Sequence, residues 1–215
     1  MSPAAVLLAA WLALAGRASA TRMGRNPVNY TQEAEDIRAC AASSALPLTV
    51  VLVGESSEDR VSVSRGIVCF LKIVQVMADE GDDDDDDAPE EGMEIPLPKV
   101  DRESLSLIVE FASGKAREAG PGLERLRFSE VPRPLPGPLS ETASVLKDDA
   151  AFMDEVAVDL ERLFRLTNAA NFVDFPALLE LCAASIAQMF IGKTPQQIRE
   201  AIPSSLLRGE PQAEA

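Results

Sequence analysis

Side chains able to do chemistry are few in this sequence, and their spacing decides against most of what they could do. Six consecutive aspartates at 82–87 follow Gly81 and could attract calcium. An EF-hand loop, however, requires spaced ligands and a glycine in mid-loop, and neither is present. The run is expected to be a solvated loop in which like charges repel. Gly192-Lys193-Thr194 matches the end of a phosphate-binding loop, yet position 187, where that loop needs its first glycine, is alanine. It also follows a helical pattern where that loop would follow a strand, so it reads as a helix corner. The three cysteines, Cys40, Cys69 and Cys182, lie too far apart for a C-x-x-C zinc or redox pair. Their odd, sparse number fits reduced thiols better than a disulfide framework, with Cys69 and Cys182 buried in apolar helical runs. Histidine is absent altogether, which removes Ser-His-Asp and Cys-His nucleophiles and imidazole metal ligands. No catalytic residue, metal or cofactor is assigned, and an enzyme is not expected.

Charge narrows the choice of partners. Against 20 basic residues stand 35 acidic ones, a net charge of −15. Such a surface repels phosphate backbones and anionic lipid, so neither nucleic acid nor membrane binding by the folded part is expected. A hydrophobic content of 47% is enough for a core, in one ordinary domain or two small subdomains. At the N-terminus the apolar run 4–16 is followed by Ala18-Ser19-Ala20, the pattern of a signal-peptide core and cleavage site (1–20) too short to span a bilayer. No Lys or Arg precedes Arg17, and the competing reading is an upstream extension with a natural start near Met23. Asn29-Tyr30-Thr31 is a glycosylation sequon.

The elements that would position an interaction surface follow from periodicity. Residues 1–45 read as a leader and loose segment. Leu48 to Val53 alternate little and form a strand, a polar turn follows, and Arg60 to Val63 return as a hairpin. Ile67, Leu71, Val74 and Met77 recur at helical spacing. Beyond the aspartates, Glu94 to Pro98 fits a short edge strand, because Pro96 and Pro98 cannot donate in a central ladder. Asp101 caps a helix carrying Leu105, Ile108, Val109 and Ala112, predicted to end at Gly114. The unit 46–114 is then followed by a Pro- and Gly-rich linker at 115–145, a helical region at 146–203 and a polar tail at 204–215.

Within the helical region, Phe152, Val156, Leu160, Leu163 and Thr167 share a stripe. A helix starting at Pro176 is apolar around much of its circumference, and Gly192 stops it. Thr194-Pro195-Gln196-Gln197 is a capping box that opens a last helix, with Pro203 expected to end it. Two small neighbours cannot cover so much apolar surface, which points to a partner.

The residues A-A-N-F-x-D, the Leu-rich helix after them and G-K-T-P-x-x-I-R strongly resemble the Skp family, the adaptor subunits of SCF cullin ubiquitin ligases. A hairpin, a helix, an acidic loop, an I-P-L-P-x-V strand and another helix match in order, so the resemblance covers about residues 46–202. It implies an α+β fold: a BTB/POZ-like domain followed by a C-terminal helical extension. It further implies a non-catalytic adaptor that joins a cullin N-terminal domain to an F-box protein in ubiquitin-dependent degradation, in the cytoplasm or nucleus. By the same resemblance Asn171 and Phe172 belong at a cullin-facing corner. Leu160, Phe164, Leu178, Leu181, Ile186, Met189, Phe190 and Ile198 then belong to an F-box-facing surface or the core behind it. Family members continue past this point with an F-N-I-x-N-D-F segment and an acidic helix, neither matched after Ile202, so altered F-box binding is expected. The alternative is a diverged BTB scaffold that self-associates; an Elongin C-like adaptor lies between, and G-K-T-P-x-x-I-R favours Skp.

Overall fold

The computed structural model describes residues 28–43, 46–79 and 93–202. The signal-like segment, Met23, the aspartate run, Pro203 and the tail lie outside them. Among the described residues the architecture is α+β, as expected: a three-stranded sheet with helices packed against it. Strand β1 (Thr49–Val53) is central, with β2 (Arg60–Ser64) antiparallel on one side and β3 (Met93–Pro96) parallel on the other. Leu52 faces Val61 across one ladder and Ile95 across the other, and Val50 faces Val63. Val50, Leu52, Val63 and Ile95 form the buried face. Pro96 sits on the edge strand, where its missing donor costs nothing.

Three expectations fail in this half, each for a tertiary reason. Residues 30–42, read as loose, form helix α1 (Tyr30–Ala42), whose N-cap Asn29 accepts a hydrogen bond from the Gln32 amide at 3.2 Å. Ala34 and Ile37 bury its inner side, and Cys40 pairs with Cys69 in a disulfide, Cα to Cα 5.8 Å. The expected reduced thiols at 40 and 69 are thus corrected: a separation of 29 residues says nothing about pairing until the fold brings the two together. The single helix that the spacing of Ile67, Leu71, Val74 and Met77 predicts is two, α2 (Arg65–Val68) and α3 (Lys72–Asp79). The chain tightens between them, with Phe70 N donating to Ile67 O and Leu71 N to Val68 O. This turn carries Cys69 into the disulfide and Phe70 into an aromatic cluster.

The predicted stop at Gly114 is also wrong. Helix α4 (Arg102–Ala119) runs through it, because Lys115 and Ala119 one turn further on are buried. It ends at Gly120, whose φ of 86° suits glycine. The segment expected as a linker is packed: Leu123, Leu126, Phe128, Leu139 and Val145 join the same core as the sheet. Its prolines set an irregular path while the apolar residues between them anchor it. A short 3-10 turn (Leu139–Glu141) precedes α5 (Lys147–Val156) and α6 (Leu160–Phe172), two helices where the stripe from Phe152 to Thr167 suggested continuity. Asp159 makes the break by capping α6, accepting from the Glu161 and Arg162 amides. Helices α7 (Pro176–Phe190) and α8 (Pro195–Ala201) complete the described residues.

Candidate partner-binding surface

The corner between α6 and α7 is built by local rules. Asp174 takes a φ of 52°, a left-handed conformation that aspartate tolerates better than most residues. The Val173 amide closes on Ala169 O and the Phe175 amide on Ala170 O, and Pro176 starts α7 where its missing N–H is harmless. The Val173 carbonyl accepts from the Ile73 amide at 3.3 Å, which fixes the corner to the first turn of α3. Asn171 is exposed on this corner. Phe172 is half-buried against the core, with Lys99 Nζ 6.0 Å from its ring centre. Lys99 had no signal in the sequence, since only the folded β3–α4 connection places a cation over that ring.

A charged seam braces α6 from the other side. Glu103 on α4 holds Arg162 Nε at 3.1 Å and Arg165 Nη2 at 2.9 Å. Beside it, burial pushes the Asp101 carboxyl up. The Ser104 amide at 3.0 Å and hydroxyl at 2.8 Å outweigh that effect and, with Arg165, hold it below the usual carboxylate range.

Helix α7 divides along its length. Leu178, Leu181, Cys182 and Ser185 are buried, so Leu178 and Leu181 are core residues rather than surface. Burial pushes the Cys182 thiol up to about 12, which keeps it protonated and unreactive. An aromatic disulfide reagent at neutral pH is therefore expected to label Cys182 only after denaturation; fast labelling of the native protein would refute its burial. Further along, Ile186 and Met189 are half-buried against the core, as is Leu160 at the start of α6. Phe164, Phe190 and Ile198 are half-buried outside that cluster.

The chain then turns at Gly192, φ 75°, and leaves Ile191 61% exposed. Ile191 escaped the sequence reading because it stands past the last helical position, off the stripe. Thr194 and Gln197 make the expected capping box: the Gln197 amide donates to Thr194 Oγ1 at 3.3 Å and the Thr194 amide to Gln197 Oε1 at 2.9 Å. Despite this rigid start, α8 buries no residue. The apolar surface that periodicity assigned to the whole of α7 is thus concentrated at its C-terminal end and on α8. Among the described residues no cluster of metal-ligating side chains occurs, and no helix is long and apolar enough to cross a membrane.

Comparison with known proteins places this surface in a family. Residues 176–202, which are α7 and α8, match the model described as Skp1 family, dimerisation domain. The chain is 35% identical over 108 residues to SKP1-like protein 20 of Oryza sativa subsp. japonica, covering 49% of this chain and 59% of that protein. It is 30% identical to SKP1-like protein 18 of Arabidopsis thaliana over 68% of this chain and 76% of the relative. It is 29% identical to E3 ubiquitin ligase complex SCF subunit sconC of Arthroderma otae, covering 75% and 84%. The match to the rice protein thus spans less than two thirds of that relative's length.

Proposed function

This chain belongs to the Skp1 family, and from that premise we propose that it is a non-catalytic adaptor of an SCF-type ubiquitin ligase. It joins a cullin N-terminal domain to an F-box substrate receptor for ubiquitin-dependent degradation, in the cytoplasm and nucleus. The observation that carries the reading is the apolar end of α7 with α8: Ile191 is exposed, and Phe190 and Ile198 are only half-buried, on a helix pair that the rest of the fold does not cover. The F-box protein occupies these residues together with Phe164 and the exposed parts of Leu160, Ile186 and Met189; Leu178 and Leu181 support them from the core. The cullin meets the corner at Asn171 and Phe172.

The test is a pull-down of the protein with a cullin N-terminal domain and an F-box fragment supplied together. Recovery of all three components is expected, and recovery of neither partner by folded protein would overturn the reading. Ile198→Asp should leave folding intact, because α8 buries nothing, and weaken F-box capture by about 30-fold, the cost of one interface anchor. Unchanged capture would remove α8 from the interface. Phe172→Ala should weaken cullin capture and leave F-box capture unchanged.

A second reading, a scaffold that self-associates through the same helices, is favoured by the description of the matching family model as a dimerisation domain. Sedimentation of the protein alone separates the two. A concentration-dependent dimer that Ile198→Asp dissolves, without F-box capture, would select the scaffold.

A further inference from the structure

Among the described helices, α1 combines polar contacts to distant elements with a disulfide. It lies across the joint between the sheet unit and the C-terminal helices. At its start, Tyr30 Oη donates to Glu180 Oε2 on α7 at 2.7 Å, and the Tyr30 ring lies 5.8 Å from that of Phe128. In its middle, Lys72 Nζ on α3 donates to Glu33 at 3.4 Å and Arg38 Nε to the Leu123 carbonyl at 2.9 Å. At its end, Cys40 is bonded to Cys69.

Apart from the disulfide this is a weak anchorage. Only Glu33, Ala34 and Ile37 are buried, and one of the three is a carboxylic acid whose burial raises its pKa. A helix of 13 residues has marginal stability in isolation, so α1 depends on its docking. At its C-terminal end the disulfide acts beside a hydrogen bond from Arg65 Nη1 to the Ser43 carbonyl at the C-cap, and it is the covalent restraint there.

We propose that the Cys40–Cys69 disulfide is a redox-released clasp that holds α1 across α2, α3 and α7 when oxidised and lets it undock when reduced. Cys40 is the point of attack, since it is half-buried whereas Cys69 is fully enclosed. A thiolate of a dithiol reductant bonds to Cys40 Sγ, and Cys69 leaves and takes up a proton. The second thiol of the reductant then displaces Cys40. The balance is two protein thiols formed and one reductant disulfide, with two electrons transferred. Reduction breaks no other covalent link, and the core cluster around Phe70 and Phe175 keeps the rest of the fold together.

The test is hydrogen exchange of the full chain, oxidised and after treatment with a dithiol such as dithiothreitol, with a Cys40→Ser variant alongside. Reduction and Cys40→Ser are each expected to speed exchange of the 30–42 amides by about 30-fold or more. Amides of α6 and α7 should stay protected. Three results would overturn the proposal: equal protection of α1 in both redox states, loss of protection throughout the molecule on reduction, or three alkylatable thiols in the denatured, unreduced protein.

Discussion

Lys115→Ala is expected to cost about 3–5 kcal/mol of folding stability, although the position reads from sequence as the exposed start of a linker. Lys115 Nζ forms an ion pair with Asp149 at the first turn of α5, and both side chains are almost wholly enclosed, at 2% and 3% exposure. Asp149 also accepts from Ser129 Oγ at 2.6 Å, and Ser129 Oγ accepts from the Leu146 amide at 2.8 Å. The Lys115 ammonium lies 5.5 Å from the centre of the Phe111 ring. One charge on α4 therefore anchors the 120–146 segment and the start of α5. Removing Lys115 leaves Asp149 as an uncompensated buried charge, and removing Asp149 leaves Lys115 with only the more exposed Glu118 at 3.8 Å, which is the costly event in each case. The double variant Lys115→Met, Asp149→Leu removes both charges and should be more stable than either single alanine variant. Urea unfolding measures this as a shift in midpoint at constant slope. A single-variant cost below about 1 kcal/mol would show that the pair is hydrated in solution.

Phe175→Ala is expected to be as damaging, about 3–5 kcal/mol, out of the roughly 5–15 kcal/mol available to a domain of this size. Phe175 is fully buried between Phe70, centroid distance 5.6 Å, and Phe111, also 5.6 Å. Phe70 follows α2 of the sheet unit, Phe111 is on α4, and Phe175 belongs to the α6–α7 corner. The ring thus fills the place where the two halves meet. Because it contacts both, its loss should lower stability while unfolding remains a single transition by far-UV circular dichroism and tyrosine fluorescence. A two-step curve in which the helices melt apart from the sheet would restore the division into two subdomains. Even a folded Phe175→Ala protein would carry a cavity beneath the corner that bears Asn171 and Phe172, so partner binding should be measured alongside stability.

Local chemistry made much of this protein legible in its sequence. Strand β1, the hairpin and the proline-bearing edge strand follow from β-propensity and from what proline cannot donate. The Asp101 cap, the Pro176 start, the turn at Gly192 and the Thr194–Gln197 capping box are one-turn phenomena, and all stand where they were expected. Of the two motifs that carried the resemblance, G-K-T-P-x-x-I-R lies within residues 176–202, which the Skp1 family model matches, while A-A-N-F-x-D builds the corner just before them.

Long-range packing decided the rest. Whether Leu178 lies in the core and Phe190 at the surface depends on which helices cover α7, and helical periodicity reports only that both are apolar. The continuation of α4 past Gly114 depends on a buried partner for Lys115 that is 34 positions away in the chain, from 115 to 149. A helix tolerates one glycine when the turns beyond it gain that much. The Pro- and Gly-rich stretch resembles a linker by composition, yet five of its apolar side chains, three between its prolines and two after the last, find the common core. Cys40 and Cys69 are unremarkable until α1 folds back over α2. Local rules determine where the helices at Asp101, Pro176 and Thr194 begin and where the chain turns at Gly192; only the tertiary structure, by placing distant side chains in contact, determines which faces are left for a partner.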